Sequence, residues 1–362
     1  MKSREIIFYA PFGKGIPIEA IGGGEAGCLK TKDIYEKAGI TVHRLDKPAI
    51  KGGKLKYFLG LSVIPIRLMV LLMKYPHAVL HVVGFYWKIA SYEWLLVKLG
   101  MLFGHKTIYE LRNGTLVQSY EQGSKSYHKT MKKLLLKPDV VLCQGMEFVE
   151  FIKQQWGVER SYYPNYIVDD FVIDKTEKRP HPIRLIFFGR LIEEKRIDVI
   201  IDVLYEVRKA GIDAKLDLIG GYNDNYKAIL DDQVDRLGLS EHVTFYDRRK
   251  FDFIAEKLKV AHYFVFPSEN RQEGHSNSLT EAMGCGVVPV VSPAGFNASI
   301  CGYAELVIPK VDPKLYAGKI IEIEKKGLWE SYSNKVLERT RTMYTSSVVG
   351  EKLISYVEPL FD

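Results

Sequence analysis

The sequence has few cysteines, and no two of them lie close together. The four are spread along the chain, at Cys28, Cys143, Cys285 and Cys301, and none forms a CxxC pair. Clustered cysteines are typical of disulfide frameworks and zinc sites. Their absence argues against both and favours a reducing compartment, so the cytoplasm is the expected location.

The sequence also lacks a clear membrane-directed segment. The opening residues, MKSREIIFYAPFG, have no long apolar core and no cleavage site of a signal peptide. The most apolar run, Tyr57–Met73, is interrupted by Pro65 and Arg67. It is too short and too broken to predict a membrane span clearly.

Acidic residues are outnumbered by basic ones, but only modestly. The 51 Lys and Arg exceed the 44 Asp and Glu, for a net charge of +7. This excess suits an anionic ligand or an anionic membrane face, whereas a nucleic-acid-binding protein usually concentrates a larger charge in one stripe. Nucleic acid is therefore not an expected partner.

Two lysine-rich stretches accompany apolar residues in the first half. Lys51, Lys54 and Lys56 precede the apolar run, and further lysines punctuate YHKTMKKLLLKP at Lys129, Lys132, Lys133 and Lys137. Basic residues beside apolar faces suit docking on an anionic membrane. Core-facing helices with solvated lysines give the same pattern. Both interpretations stay open from the sequence.

Short apolar runs alternate with amphipathic segments throughout the chain, which predicts parallel sheets covered by helices. In the first half, the predicted strands are Ile6–Ala10, Thr41–Leu45, Ala78–Val83, Thr107–Leu111, Val140–Cys143 and Ser161–Tyr163, and the predicted helices are Ala26–Ala38, parts of Lys54–Lys74, Tyr92–Phe103 and Glu147–Gln155. In the second half, strands are predicted at Ile183–Phe188, Lys215–Ile219, Val243–Tyr246, Tyr263–Phe266 and Val287–Val291, and helices at Ile197–Ala210, Tyr226–Leu237, Phe251–Ala261 and Ser278–Met283.

A charged, proline-bearing segment, DKTEKRPHP, separates the two halves. We predict an N-terminal domain over residues 1–173, a linker over 174–182 and a C-terminal domain over 183–345. The remaining residues, 346–362, are predicted to form a helix that can cross back to the first domain. The length of 362 residues suits two such doubly wound α/β domains, with a cleft between them.

A glycine motif near the N-terminus imitates a dinucleotide-binding fingerprint. Gly22, Gly24 and Gly27 satisfy G-x-G-x-x-G, with Asp46 after the next strand. About eleven residues intervene between the first strand and the first glycine, whereas the fingerprint needs that glycine directly after the strand. NAD binding is therefore disfavoured. The glycines Gly22, Gly23 and Gly24 are expected to bind a phosphate or an acceptor hydroxyl, or no ligand at all.

A second pattern opens the C-terminal half. A predicted strand ends at Gly189, and two cations, Arg190 and Lys195, follow five residues apart before a helix. The planar fork of arginine and the point charge of lysine together suit a diphosphate. Solvated charges at a strand-to-helix turn are the alternative.

The third pattern is the most specific. The strand YFVFPS leads into a polar loop and then a helix, and Glu273 and Glu281 stand eight residues apart on either side of the helix start. Amides from Gly274 to Ser278, aided by the helix dipole, are expected to receive phosphates. The two carboxylates would then bind neutral hydroxyls of a sugar and a ribose.

These segments resemble one known family. EGHSNSLTEAMGCGVVPVV is similar to the E-x7-E region of the retaining group 1 glycosyltransferases (glycosyltransferase family four), which have the GT-B fold of two Rossmann-like domains facing across a cleft. FGRLIEEKRID resembles the G-R-x-x-x-x-K segment of that family, and IGGGEAG resembles its glycine loop. The similarity is dense from about Ile183 to Val291 and patchy across the first half.

The resemblance implies a role for each matching residue. Arg190, Lys195 and Glu273 would be catalytic, the two cations neutralising the donor diphosphate and Glu273 binding sugar hydroxyls. The other residues implied to bind the donor are Gly189, Gly274, His275, Ser276, Asn277 and Glu281, the last through the ribose. It also implies retention of anomeric configuration, no metal and no cofactor besides the donor.

The sequence departs from the family pattern in the first domain. Members often carry a histidine after the fourth strand, and here that strand reads TIYELRNG, without one. Glu110 or Arg112 would have to take part of the role of that histidine on the acceptor side. His275 occupies a position that is often aromatic or apolar in the family, and we interpret it as lining the cleft.

The predicted function is transfer of a hexose or N-acetylhexosamine from a UDP- or GDP-sugar to a polysaccharide or lipid-linked saccharide. The expected partners are the nucleotide sugar, the saccharide acceptor and an anionic membrane surface, and the expected location is the cytoplasm, with peripheral contact to the inner face of the plasma membrane left open. A sugar-nucleotide epimerase of the same fold and a non-catalytic nucleotide-sugar-binding scaffold are the alternatives.

Overall fold

The computed structural model describes residues 4–13, 23–48, 53–84, 87–176, 179–270 and 273–362. The chain divides into two compact units. Unit 1 contains residues 1–165 and 349–362, and unit 2 contains residues 166–348. Each unit is a parallel sheet with covering helices, so the prediction of two Rossmann-like α/β domains is confirmed.

Unit 1 has a six-stranded parallel sheet, in the order β2-β1-β3-β4-β5-β6. Its strands are β1 (Glu5–Ala10), β2 (Thr41–Asp46), β3 (Val79–Gly84), β4 (Thr107–Leu111), β5 (Val140–Cys143) and β6 (Ser161–Tyr162). Its helices are α1 (Gly23–Lys37), α2 (Lys54–Lys74), α3 (Ala90–Leu102), α4 (Leu116–Glu121), α5 (Lys125–Leu136) and α6 (Met146–Trp156). The strands β1, β3 and β4 are buried along almost their whole length, as expected for a sheet covered on both faces.

Helix α2 continues through Pro65, where the sequence predicted a broken element. A proline has no N–H to donate, so the carbonyl of Leu61, four residues earlier, loses its helical partner. The hydroxyl of Tyr92 in α3 donates to that carbonyl at 2.7 Å. This bond from the neighbouring helix compensates for the missing donor, and the helix is preserved.

Unit 2 has a five-stranded parallel sheet, in the order β11-β10-β7-β8-β9. The strands are β7 (Ile183–Phe188), β8 (Ala214–Ile219), β9 (Val243–Tyr246), β10 (Tyr263–Phe266) and β11 (Val288–Val291). The helices that begin in this unit are α7 (Ile197–Lys209), α8 (Asp224–Arg236), α9 (Phe251–Val260), α10 (Asn277–Gly284), α11 (Asn297–Cys301), α12 (Pro313–Lys325), α13 (Trp329–Met343) and α14 (Ser346–Val357).

The predicted linker, 174–182, is packed against unit 2 where the structure describes it. The hydroxyls of Thr176 and Ser333 are 3.1 Å apart, and the guanidinium of Arg179 donates to the carbonyl of Cys285. Residues before the predicted linker also contact unit 2: the Ile167 amide donates to the Tyr344 carbonyl at 2.9 Å. The boundary between the units therefore falls at Asn165, before the predicted linker.

The C-terminal residues belong to unit 1. Gly350 in α14 lies close to Ile34 of α1: a Cβ added at Gly350 would be 3.7 Å from the Ile34 side chain. Arg4 forms an ion pair with Glu358, and its guanidinium lies 5.7 Å from the centre of the Phe361 ring. The chain thus returns to the N-terminal unit at Val349, three residues after the predicted start of this segment.

Candidate functional site

The strand order of unit 2 creates a switch point between β7 and β10. From β7 the chain proceeds to β8 and β9 on one side, and it then crosses back to β10 on the other side of β7. Loops that leave the carboxyl ends of two such strands diverge and form a crevice, which is the usual ligand site of a doubly wound sheet. The β7–α7 loop contains Arg190 and Lys195, and the β10–α10 loop contains Glu273.

The two loops are joined by hydrogen bonds. The Glu269 amide donates to the Glu194 carbonyl at 3.1 Å, and the Ser268 hydroxyl donates to the same carbonyl at 3.2 Å. The hydroxyl of Ser292, which follows β11, donates to the Ser268 carbonyl at 2.6 Å. Three strand ends are therefore fixed to one another, and the side chains on their loops are held in one place.

Gly189 directly follows β7 and has a backbone conformation that favours glycine. Its φ is 146°, which side chains rarely tolerate. Gly220, at the end of β8, has a φ of 153°, and a Cβ there would lie 1.6 Å from the Gly189 carbonyl oxygen. The backbones approach so closely that only glycine fits at Gly220, a position that the sequence analysis did not select.

Arg196, which directly follows Lys195, has a strained backbone conformation. Among the described residues other than glycine it alone has a positive φ, 54°, a conformation that costs about 1–2 kcal/mol for a residue with a side chain. Its guanidinium binds Asp198 at 2.9 Å and Glu269 at 2.6 Å. These carboxylates raise the pKa of Arg196 above its ordinary value. Ion pairs with Asp198 and Glu269 thus stabilise the strained conformation of Arg196.

Lys195 and Glu273 meet at the centre of this arrangement. The lysine ammonium forms an ion pair with the glutamate carboxylate, and both side chains are nearly buried. The ammonium also lies 4.9 Å from the centre of the Phe266 ring, at the end of β10. Two residues predicted from separate patterns, 78 positions apart, are therefore in direct contact.

Gly295 lies behind Glu273 and allows its backbone to approach. Gly295 has a φ of 57°, and a Cβ there would lie 1.9 Å from the Glu273 carbonyl oxygen and 2.6 Å from the Glu273 Cβ. Real Cβ atoms essentially never come within 3.0 Å of another heavy atom. Gly295 therefore determines where Glu273 can be, and the sequence analysis missed it because nothing in the motif marks a contact across 22 residues.

Helix α10 begins at Asn277, three residues after Gly274. Ser276 caps it, its hydroxyl accepting from the Leu279 amide at 3.4 Å. The first amides of a helix have no intrahelical acceptors, so the start of α10 is the positive end of a helix dipole and suits an anionic group. Glu281 lies on this helix and is partly exposed.

His275 is buried beside the start of this helix. Its Nε2 is 2.9 Å from the Thr280 hydroxyl, and its ring packs edge-on against Tyr344 at 5.3 Å. The side chain is thus engaged in packing that orients the loop, and a contribution of this residue to donor binding would come from its backbone amide.

Arg190 is the exposed cation of the pair. It follows Gly189 at the end of β7, and within the described part of the chain its side chain makes no ion pair or hydrogen bond. A guanidinium in this position is available to an anion. Of the glycines predicted to bind a phosphate or acceptor, Gly22 lies outside the described residues, whereas Gly23 and Gly24 open helix α1.

The acceptor-side candidates form a buried network in unit 1. Glu110 is 1% exposed and Arg112 is 7% exposed. The guanidinium of Arg112 binds Glu110 and also donates to Thr31 at 3.0 Å, while His81 Nε2 lies 3.1 Å from the Glu110 carboxylate. A Cβ at Gly27 would lie 2.0 Å from the Arg112 Nη1, so a larger residue there would displace the guanidinium from this network.

This network changes how the candidates can act. Burial pushes the Glu110 pKa upward, but Arg112 and His81 outweigh it and hold that pKa below its usual value. Burial lowers the pKa of His81, which stacks on Phe8 and is fully enclosed. Glu110 is thus a charged group inside the unit, paired with Arg112. Its geometry supports positioning of the β4 end, and direct contact with an acceptor remains a prediction.

A scan against family models matches residues 168–342 to the glycosyl transferases group 1 family. The matched range lies within unit 2 and includes both loops of the candidate site. Unit 2 is therefore a group 1 glycosyltransferase domain, and the chain is a glycosyltransferase.

Solved structures with the same fold cover nearly the whole of this glycosyltransferase. Sucrose-phosphate synthase from Thermosynechococcus elongatus is 17% identical, with a TM-score of 0.71 over 99% of each chain. HepE from Anabaena, in complex with UDP, is 14% identical, with a TM-score of 0.72 over 98% of this chain and all of that one. A glycosyltransferase from Rickettsia africae is 11% identical, with a TM-score of 0.72 over 99% of each chain. The predicted GT-B fold is thereby confirmed. A separate search of curated protein sequences found no match to the chain.

Proposed function

We propose that this glycosyltransferase transfers a hexose or N-acetylhexosamine from a UDP-sugar to a saccharide or lipid-linked saccharide, with retention of anomeric configuration. The contact of Lys195 with Glu273 at the switch point of unit 2 carries the proposal. It joins a group that binds phosphate to a group that binds hydroxyls, which is what a sugar diphosphate requires.

The two cations would bind the donor diphosphate. Lys195 is nearly buried and already faces a carboxylate, so its ammonium is fixed in place before the donor arrives. Arg190 is exposed at the neighbouring strand end and would contribute a planar pair of donors. Together they would stabilise the negative charge that develops on the diphosphate as the sugar leaves, which is where preorganised charges accelerate such a reaction.

The start of α10 would complete the donor site. The amides of Gly274, His275, Ser276 and Asn277 would face the phosphates and the sugar, and Glu281 would hydrogen-bond the ribose hydroxyls. Glu273 would fix the sugar hydroxyls. The distal part of the crevice, at the end of β9, has Tyr222 donating to Asp247 at 2.7 Å and would adjoin the base.

Structural neighbours favour uracil as that base. HepE has been solved with UDP and with UDP-glucose, and the pneumococcal O-GlcNAc transferase GtfA with UDP and GlcNAc. The identities of 14% show a shared fold only, so the preference for UDP over GDP is part of this proposal.

In the proposed reaction, the bond between the anomeric carbon and the diphosphate oxygen breaks, and the acceptor oxygen bonds to that carbon from the same face. The acceptor proton passes to the departing diphosphate. Arg190 and Lys195 supply the positive charge that the leaving group needs, and we therefore expect turnover to be unchanged by EDTA.

Nucleotide release and nucleotide binding test the assigned roles separately. A thermal-shift screen against UDP- and GDP-sugars identifies the donor, and NMR of the product gives the anomeric configuration. Lys195→Ala is expected to lower kcat with little loss of nucleotide affinity, because its charge matters most as the sugar leaves. Glu281→Ala is expected to weaken nucleotide affinity.

Lys310→Ala and Glu330→Ala, at exposed positions of unit 2, are the matched controls. Equal and negligible effects of Lys195→Ala and Glu281→Ala would contradict the assigned roles. Conversion of the donor sugar without an acceptor would favour the epimerase, and binding without turnover would favour a scaffold.

A further inference from the structure

Helix α2 has two apolar faces, of which unit 1 covers one. The buried face consists of Tyr57, Leu61, Ile64, Leu68 and Leu72, spaced three or four residues apart as on one side of a helix. The outward face is apolar as well, and its exposed side chains are Phe58, Leu59, Val63, Ile66, Val70 and Met73. Phe58 and Met73 are each 63% exposed and Ile66 is 60% exposed, although apolar side chains of this size are normally covered.

The helix is long and apolar enough to cross a membrane. Its window from Tyr57 to Lys74 has a mean hydropathy of 1.7, and 28% of that window is buried in the protein. One side of the helix packs on the sheet, with the Leu61 carbonyl bonded to Tyr92 of α3. A helix held in this way is suited to lie along a surface, with only its outer face in contact with lipid.

The neighbouring helices extend this outer surface. The crossovers from β2 to β3, β3 to β4 and β4 to β5 all advance in the same direction across the sheet, so right-handed connections put α2, α3 and α5 on one face. Helix α3 contacts both α2 and α5. The exposed apolar side chains of α3 and its C-terminal end are Leu95, Met101, Leu102 and Phe103.

This surface carries charge of one sign. From Lys54 to Phe103 the sequence has six Lys or Arg and one acidic residue, Glu93, which is 1% exposed and accepts from the Tyr109 hydroxyl. Helix α5 has no acidic residue, and its exposed lysines are Lys125, Lys129 and Lys132. Within the described part of the chain, none of these three forms an ion pair.

We propose that the outer surface of α2, α3 and α5 docks on an anionic lipid bilayer, with α2 lying in the plane of the interface. The apolar side chains of α2 would enter the boundary between headgroups and acyl chains, and the lysines of α5 would contact anionic headgroups. A second copy of the chain is a poorer occupant. A two-fold interface opposes each surface to itself, and two basic surfaces repel.

The proposal extends the proposed function to a class of acceptor. A transferase docked through unit 1 acts on acceptors held at the membrane, so a lipid-linked saccharide would be favoured over a free one. This extension to the acceptor rests on the proposed function, whereas docking itself does not. Binding to vesicles is measured without turnover, and the two proposals can therefore fail separately.

The apolar contribution is tested with one pair of variants. The whole chain is sedimented with vesicles of phosphatidylcholine and phosphatidylglycerol and, separately, with vesicles of phosphatidylcholine alone. We expect binding to the anionic vesicles and at least tenfold weaker binding for Ile66→Glu combined with Val70→Glu. The matched control is Ile229→Glu combined with Leu315→Glu, two exposed apolar positions of unit 2, which should bind as the unmodified chain does.

The electrostatic contribution is tested separately. Each lysine near an anionic surface contributes about fivefold in affinity, so replacing Lys125, Lys129 and Lys132 by Gln should weaken binding by about two orders of magnitude. Lys209, Lys310 and Lys314 changed to Gln in unit 2 provide the control. Rising salt should weaken binding of the unmodified chain in the same way.

Three results would overturn the proposal. The first is no binding of the unmodified chain to anionic vesicles. The second is equal loss of binding in the test and control variants, with circular dichroism showing that all are folded. The third is a dimer in analytical ultracentrifugation that Ile66→Glu dissociates, without vesicle binding, which would assign this surface to a second copy. Should the glutamate variant fail to fold, Ile66→Ser with Val70→Ser replaces it, with the same expected direction.

Discussion

Replacing Gly295 by alanine should displace Glu273 and lower turnover. The new Cβ would lie 1.9 Å from the Glu273 carbonyl oxygen, and at least 3.0 Å is needed, so one of the two segments must move by about 1.1 Å. A shift of about 1 Å in a group that positions substrate costs about 10²-fold in rate, or about 2.7 kcal/mol. We expect kcat/KM for the nucleotide sugar to fall by about that factor.

The strain of the backbone itself must be separated from this displacement. Gly295 has a φ of 57°, and an alanine there costs about 1–2 kcal/mol in stability whatever lies nearby. Gly327 has a φ of 62° with nothing within 4 Å of an added Cβ, so Gly327→Ala carries the backbone cost alone. Gly295→Ala should lose at least as much stability as Gly327→Ala in thermal unfolding, and only Gly295→Ala should lose kcat/KM in an assay of UDP release. If the two folded variants had kcat/KM values within twofold of each other, the reasoning that Gly295 fixes a working Glu273 would be refuted.

Three further predictions concern buried groups. Glu110→Ala leaves Arg112 buried without a carboxylate and should destabilise unit 1 by about 3–5 kcal/mol in denaturant unfolding; an effect below about 1 kcal/mol would contradict a buried ion pair. Tyr92→Phe removes the donor to the Leu61 carbonyl beside Pro65 and should cost about 1 kcal/mol, with an unchanged unfolding midpoint as the contrary result. Burial, aided by the positive charge of Arg179 and by His181, lowers the pKa of His262 to about 4. Between about pH 6.5 and pH 4, the unfolded chain therefore binds a proton at His262 that the folded protein does not bind. Stability should therefore be full above pH 6.5 and fall by about 3 kcal/mol towards pH 4, less so in His262→Gln; parallel pH profiles for the two proteins would rule this out.

The strands and the two-domain organisation were predictable because their signal is local. Strands buried on both faces, such as LIFF in β7 and YFVF in β10, stand out as short apolar runs between amphipathic segments. The helices between Val291 and the predicted C-terminal helix over 346–362 were not predicted individually. Their apolar positions are mixed with charges, as in α13, where only Ser333, Val336, Leu337 and Thr340 are buried.

The boundary of the units and the continuity of α2 depended on contacts made elsewhere in the chain. Ile167 belongs to unit 2 because its amide donates a hydrogen bond to the Tyr344 carbonyl. The charged, proline-bearing segment at 174–182 lies further along the chain and gives no indication of this contact. A proline such as Pro65 ordinarily predicts a break in a helix. Here the Tyr92 hydroxyl of the next helix donates to the Leu61 carbonyl that the proline leaves without a donor, and α2 is continuous.

The sequence by itself determined which chemical groups this glycosyltransferase has and which strand each of them follows. The order of strands in unit 2 decided that Lys195 and Glu273 touch, because only folding brings the ends of β7 and β10 together. Folding also revealed the roles of Gly220 and Gly295, whose backbones approach residues far away in the chain. A residue's type and its neighbours in sequence carry propensity and charge, whereas steric fit between distant segments exists only once the sheet has formed.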